Sequence, residues 1–247
     1  MIQAIIFDYG GTIDTNSLHW SEVLWEGYQH VGIPVSKDEF RTSYVFAERA
    51  LAKHPYIQPS HNFLDLLTIK CDLETKDLTD RGAWQVASEE ERKTQSDAVA
   101  QYCYDYVLRV LQVSRPVLAQ LAAQYPLVLV SNFYGNIETI LADFQLLYFQ
   151  DIVESAVVGV RKPDPKIYQL GIDALRKVTG KTAEELPAQD ILVVGDSYSK
   201  DIVPATQLGC QTVWVKGIGW GNEEVDETVP THIIYTIKDL PETINQG

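Results

Sequence analysis

Six short apolar runs rich in β-branched residues punctuate this sequence: IQAIIF (2–7), LVLV (127–130), IVESAVV (152–158), ILVV (191–194), TVWV (212–215) and HIIY (232–235). They are nearly continuous rather than alternating, the pattern of strands covered on both faces within a parallel sheet. From residue 115 onward, stretches of helical periodicity separate them. RPVLAQLAAQY precedes the second run, and KIYQLGIDALRKV lies between the third and the fourth. This alternation predicts an α/β fold, a doubly wound (Rossmann-like) parallel sheet core with right-handed crossovers.

Residues 15–114 break the pattern, because no comparable strand occurs there. SLHWSEVLWEGYQHVG is amphipathic and reaches a helix C-terminus at Gly32. Ser36 and Glu39 have the spacing of a capping box opening the next helix. QSDAVAQYCYDYVLRVLQV has helical periodicity, and the charged run SEEERKTQ (88–95) reads as a solvated linker or helix face. The expected organisation is therefore a core formed by 1–14 plus 115–247, interrupted after its first strand by an all-α insert over 15–114.

A chain of 247 residues that is 45% hydrophobic can bury a full core. Its net charge of −14 argues against nucleic acid and anionic membrane surfaces as partners, because their phosphates would be repelled. A single small phosphate ester in a locally positive pocket stays compatible with that charge. Cys71, Cys103 and Cys210 are odd in number and fit no metal-ligand spacing, so buried reduced thiols are expected. The absence of a cleavable leader pattern and of any membrane-length apolar stretch points to a soluble, cytoplasmic protein. Oligomeric state has no signature in the sequence.

Parallel strands bring their carboxyl ends to one edge, where open α/β sheets bind ligands. Asp8 follows the first run, Ser131 and Asn132 follow LVLV, Lys162 follows the third run, and Asp196 follows ILVVG. Taken singly, an aspartate or serine after a strand is commonly a turn or cap, and a lysine before proline is often mere surface. Their coincidence at one edge makes chemical sense. Asp8 and Asp196 are hard oxygen ligands suited to Mg²⁺, and Asp201 lies where it can support a metal-bound water or the lysine. Ser131 can donate to a phosphoryl oxygen, Lys162 can offset charge on nucleophile and phosphate, and N–H groups of the glycine turn add donors.

DYGGT, VSNFYGN, GVRKPDPKIY and VVGDSYSKDI resemble, in order, the four motifs of the haloacid dehalogenase superfamily of hydrolases. The position of the helical insert is similar to the branch with an α-helical cap between motifs I and II. The resemblance covers residues 1–14 and roughly 115–220. It implies Asp8 as a nucleophile forming an aspartyl-phosphate, Ser131, Asn132, Lys162 and the Gly11 turn as phosphate binders, and Asp196 as a Mg²⁺ ligand. Asp201 would support the metal site, and the implied substrate is a small phosphorylated metabolite.

The chain departs from that pattern at Gly10, where most phosphatases of the family carry an aspartate that serves as general acid and base. Glycine keeps the backbone carbonyl that the family uses as a Mg²⁺ ligand, but it transfers no proton. Asp14 and His19 are candidate substitute acids, although Asp14 also suits a helix cap and His19 a packing role beside Trp20. Family members resembling phosphonoacetaldehyde hydrolase have a small residue here and use a Schiff-base lysine from the cap. Lys53 and Lys70 are the lysines that such a carbon–phosphorus bond hydrolase would draw on. A third reading is a protein that binds phosphometabolites without turnover.

Overall fold

A computed structural model describes residues 1–218 and 224–246. The end of the expected core, 219–223 and Gly247, lies outside the described residues. The chain divides into two compact units. One comprises Met1–His19, Arg109–Gly135 and Gln145–Gly247, and the other comprises Trp20–Leu108 and Asn136–Phe144.

The first unit is built on a six-stranded parallel sheet. Its strands are β1 (Ala4–Phe7), β2 (Leu127–Ser131), β3 (Asp151–Glu154), β4 (Ile191–Gly195), β5 (Gln211–Val215) and β6 (His232–Ile234), in spatial order β3-β2-β1-β4-β5-β6. The direction of winding reverses between β1 and β4, so a crevice opens beyond their carboxyl ends. Register aligns Phe7 with both Leu129 and Val194. Asp8, Ser131 and Asp196, one or two residues further along each strand, therefore emerge at a common edge.

All residues of β1, β2 and β4 are buried, as their uninterrupted apolar composition predicts for strands covered on both faces. The helix α7 (Lys166–Thr179) packs Ile167, Tyr168, Ile172 and Leu175 onto Ile6, Val128, Val130 and Val193. Its Gly171 lies so close to β2 that a Cβ there would stand 2.6 Å from Val130 Cγ2, so a larger residue would push the helix off the sheet.

One expected strand is half wrong. IVESAVV was to run as a strand over 152–158, but β3 ends at Glu154 and residues Ser155–Val158 form a single helical turn, α6. The Ser155 hydroxyl donates to the Phe133 carbonyl and accepts from the Phe133 N–H, which turns the chain off the edge of the sheet. Gly159, in the left-handed conformation at φ +71°, then closes the turn. Val157 and Val158, which suggested a longer strand, are solvent-exposed, Val157 by 74%.

The second unit is helical: α1 (Trp20–Val31), α2 (Lys37–Lys53), α3 (Phe63–Asp80), the first part of α4 (Glu89–Ala122) and the short α5 (Ile137–Asp143). Gly32, at φ +83°, ends α1, and Ser36 with Glu39 forms the expected capping box on α2. A second box, Asn62 with Asp65, opens α3. SEEERKTQ is the helix face rather than the linker, with Glu89, Glu90, Glu91 and Lys93 exposed. It opens α4, where Arg92 is buried against Asp72 at 2.7 Å and Glu89 at 2.6 Å. The two helical patterns read separately on either side of residue 114 are one continuous helix of 34 residues. Cys71, Cys103 and Cys210 are free and buried, and burial holds the Cys210 thiol at about 12. Among the described residues no helix is long and apolar enough to cross a membrane.

Candidate active site

The loop after β1 wraps into one tight turn, with the Ile13 N–H bonded to the Tyr9 carbonyl. Gly11 takes φ +96° at its centre, and a Cβ there would fall 2.3 Å from Asp196 Oδ2. Only glycine meets both conditions. Thr12 closes the turn over the acids, its hydroxyl lying 3.3 Å from Asp8 Oδ2 and 3.2 Å from Asp196 Oδ1.

Lys162 reaches into this turn from the loop that precedes α7. Its ammonium donates to Asp8 Oδ1 at 2.5 Å and to Asp201 Oδ1 at 2.8 Å, and it is almost completely buried. The Asn132 side chain fixes the loop, accepting from the Lys162 N–H at 2.8 Å and donating to its carbonyl at 3.1 Å. Asn132, expected at the phosphate, thus spends its amide on the lysine backbone.

Asp201 lies in a π-helical turn, Tyr198–Ile202, just beyond β4. Its Oδ2 accepts from the Ser197 N–H at 2.9 Å. A Cβ on Gly195 would stand 2.5 Å from the Asp201 side chain, so the carboxylate occupies space that only glycine leaves open. Asp8, Asp196 and Asp201 each offer an oxygen within 4.8 Å of the others.

Three carboxylates against one ammonium leave negative charge uncompensated. Burial, opposed by Lys162 and reinforced by Asp201, raises Asp8 from 3.8 to about 6. Burial, followed by Asp8 and Asp201, pushes Asp196 well above the usual carboxylate range. Burial alone would lower Lys162, but Asp201 and Asp8 outweigh it and hold the ammonium above its ordinary value. An all-oxygen donor set with unrelieved negative charge, opened by two glycines, fits a hard divalent cation of the Mg²⁺ type.

The remaining predicted residues divide. Ser131 ends β2 and is buried. Asp14 is fully buried, and its Oδ1 accepts from the Gly11 N–H at 2.7 Å, an interaction that holds the turn and occupies that N–H. Gly10 and His19 are half-buried, and the His19 N–H donates to the Ile218 carbonyl. In the helical unit, Lys53 is exposed, whereas Lys70 is buried, pairs with Glu48 and lies over the Tyr44 ring.

Sequence reasoning missed Thr12, Tyr168 and Trp214. Thr12 was legible in DYGGT, since a tight turn brings a residue four positions on back over the first. Tyr168 donates to Asp201 Oδ1 at 2.7 Å, and Trp214 Nε1 donates to the Asp196 carbonyl at 2.7 Å. Both contacts join distant segments and leave no local trace.

The haloacid dehalogenase-like hydrolase family model matches residues 2–209. Among curated proteins, the chain is 31% identical over 117 residues to haloacid dehalogenase-like hydrolase domain-containing protein 3 of Danio rerio, covering 45% of this chain and 43% of that one. It is 35% identical over 69 residues to glyceraldehyde 3-phosphate phosphatase of Pyrococcus abyssi, covering 28% and 25% respectively. The chain thus spans less than half the length of these relatives. Among solved structures, the HAD-hydrolase YfnB from Bacillus subtilis, bound to magnesium, aligns over 99% of both chains with a TM-score of 0.56 at 16% identity, a likeness of fold. The family match begins within two residues of the chain's start and ends just before β5, taking in all four motif segments: the chain belongs to the haloacid dehalogenase-like hydrolases.

Proposed function

We propose that this hydrolase is a Mg²⁺-dependent phosphohydrolase that acts on a small phosphorylated metabolite through an aspartyl-phosphate at Asp8. The observation that carries the reading is the shared ammonium of Lys162, in contact with Asp8 and Asp201 beside Asp196. A carboxylate cannot approach a phosphate dianion unless its charge is offset; the Lys162 ammonium offsets part of it, and a bound cation would offset the rest. The glyceraldehyde 3-phosphate phosphatases among the relatives support a small phosphate ester as substrate.

In this reading an Asp8 oxygen attacks phosphorus, and the bond from phosphorus to the leaving oxygen breaks with its electron pair on that oxygen. Lys162 stays against Asp8 throughout, and the Ser131 hydroxyl donates to a phosphoryl oxygen. The Asn132 side chain keeps the lysine loop in place, which leaves its backbone N–H as the group it would offer a phosphate. Asp8, Asp196 and the Gly10 carbonyl would hold Mg²⁺, with Asp201 supporting the site. When bound, the cation neutralises charge on the carboxylates and the phosphate. Water then cleaves the acyl phosphate, releasing inorganic phosphate and restoring the Asp8 carboxylate. Gly10 supplies no proton and Asp14 is engaged by the Gly11 N–H, which leaves His19 or solvent as the source of the leaving oxygen's proton.

A phosphatase screen over sugar phosphates, nucleotides, acyl phosphates and p-nitrophenyl phosphate, with and without Mg²⁺, tests the reading. Mg²⁺-dependent phosphate release supports it. Binding without release would favour a phosphometabolite-binding protein. A borohydride-trapped adduct with phosphonoacetaldehyde would favour carbon–phosphorus bond hydrolysis instead.

A further inference from the structure

Tyr168 stands in the first turn of α7, a helix whose Gly171 presses against β2. That approach carries the Tyr168 ring into the core beside Ile6, Val130 and Ile167, where it is fully buried. A phenyl ring would satisfy this packing equally well. The hydroxyl is the part with a polar partner, donating to Asp201 Oδ1 at 2.7 Å, while the ring centroid lies 5.2 Å from the Lys162 ammonium.

Asp201 Oδ1 therefore accepts two donors, the neutral phenol and the cationic lysine, and its Oδ2 accepts the Ser197 N–H. Three donors fix the carboxylate in place. The phenol also draws charge from the oxygen that competes with Asp8 for Lys162, and it does so without adding positive charge. The ammonium bridges the two carboxylates, donating to Asp8 Oδ1 and to Asp201 Oδ1.

We infer that Tyr168 is a positioning residue for phosphoryl transfer: by holding Asp201 it biases the Lys162 ammonium toward Asp8, where a phosphoryl group arrives. Without the hydroxyl, Asp201 becomes the stronger acceptor and Lys162 moves toward it. Asp8 then meets the incoming dianion with less compensation. This inference rests on the phosphohydrolase reading above.

Tyr168→Phe keeps the ring and removes only the donor. The expected result on p-nitrophenyl phosphate is a kcat about tenfold lower, the scale of one hydrogen bond to a charged group, with KM within about twofold of wild type. Affinity for trifluoroberyllate, a mimic of phosphorylated aspartate, falls to a similar degree, while Mg²⁺ affinity and melting temperature are nearly unchanged. A kcat and a trifluoroberyllate affinity both within twofold of wild type overturn the inference. A wild type that neither turns over nor binds trifluoroberyllate defeats the phosphohydrolase reading instead. The Lys162 side-chain ¹⁵N resonance then decides the role of Tyr168. The inference requires that resonance to shift in Tyr168→Phe and not in a control, Tyr28→Phe. An unmoved resonance overturns it.

Discussion

The Lys162 ammonium donates to Asp8 Oδ1 at 2.5 Å with both side chains withdrawn from solvent. Removing one member of a buried pair strands the other charge, at a typical cost of about 3–5 kcal/mol. Lys162→Met, assayed in chelator, should therefore unfold more easily at pH 8 by roughly that amount. Part of the loss should return toward pH 5. Asp8 sits at about 6 in the folded protein against 3.8 ordinarily, so the folded state holds its proton more tightly and stability falls as pH rises between those values. Without the lysine that window moves upward. A pH-independent deficit in thermal melts would count against an uncompensated Asp8.

Asp8→Asn should still fold, because Lys162 keeps Asp201 as a partner, and should release no phosphate, because an amide is a very poor nucleophile. More than a tenth of wild-type activity, after mass spectrometry rules out deamidation, would remove Asp8 from the nucleophilic role.

Asp196 and Asp201 should separate in Mg²⁺ calorimetry. Asp201 is engaged by Lys162, Tyr168 and the Ser197 N–H, whereas Asp196 faces the other two carboxylates in the cluster. Asp196→Ala should weaken Mg²⁺ binding by tenfold or more, on the order of 1.4 kcal/mol or greater, and Asp201→Ala by less. Equal titrations for both variants and wild type would place the metal elsewhere.

Leaving-group basicity should govern the first chemical step, because no carboxyl group stands at position 10. Acyl and aryl phosphates should turn over faster than alkyl phosphates such as sugar phosphates. Gly10→Asp should narrow that gap, within the ~10²–10⁴-fold typical of general acid–base catalysis. Gly10→Ala controls for the added bulk. If wild type treats both classes alike with chemistry rate-limiting, and Gly10→Asp gains nothing over Gly10→Ala, the proton comes from elsewhere. His19 is then the next residue to mutate.

Glu74 gives the helical unit a pH-dependent weakness. It is fully buried, one oxygen accepts from the Tyr28 hydroxyl at 3.2 Å, and the other has no hydrogen-bond partner among the described residues. Burial, opposed by Lys70 and reinforced by Glu48, raises it from 4.5 to about 7. The folded state binds the proton more tightly, so this stability is complete below 4.5 and lost as pH rises through 7. Glu74→Gln stays neutral and should gain on wild type by roughly 3 kcal/mol between pH 4.5 and 8. Melting curves at the two ends of that range check it, and a constant difference would sink it.

The parallel sheet was legible in the sequence because strands buried on both faces must be apolar at every position, and runs such as IIF and ILVV satisfy that without any partner being known. Capping at Ser36 and the stop at Gly32 were legible for the same reason, since each is decided within one helical turn. IVESAVV failed where that logic ends. A sheet edge needs no apolar residue on its outer side, and the Ser155 contact with Phe133 that bends the chain spans 22 residues. The family motifs, likewise, are local strings, and they named Asp8, Lys162, Asp196 and Asp201 as residues to be brought together.

Tertiary structure alone decided how those residues share their charges. Asn132 turns to the Lys162 backbone and Asp14 to the Gly11 N–H because the β2 and β1 loops stand at those distances and angles. Tyr168 reaches Asp201 across 33 residues, and Lys162 reaches Asp8 across 154. Side-chain chemistry is written in the order of the residues. Which carboxylate receives which proton donor depends on separations of about 3 Å, and only the packed chain sets those.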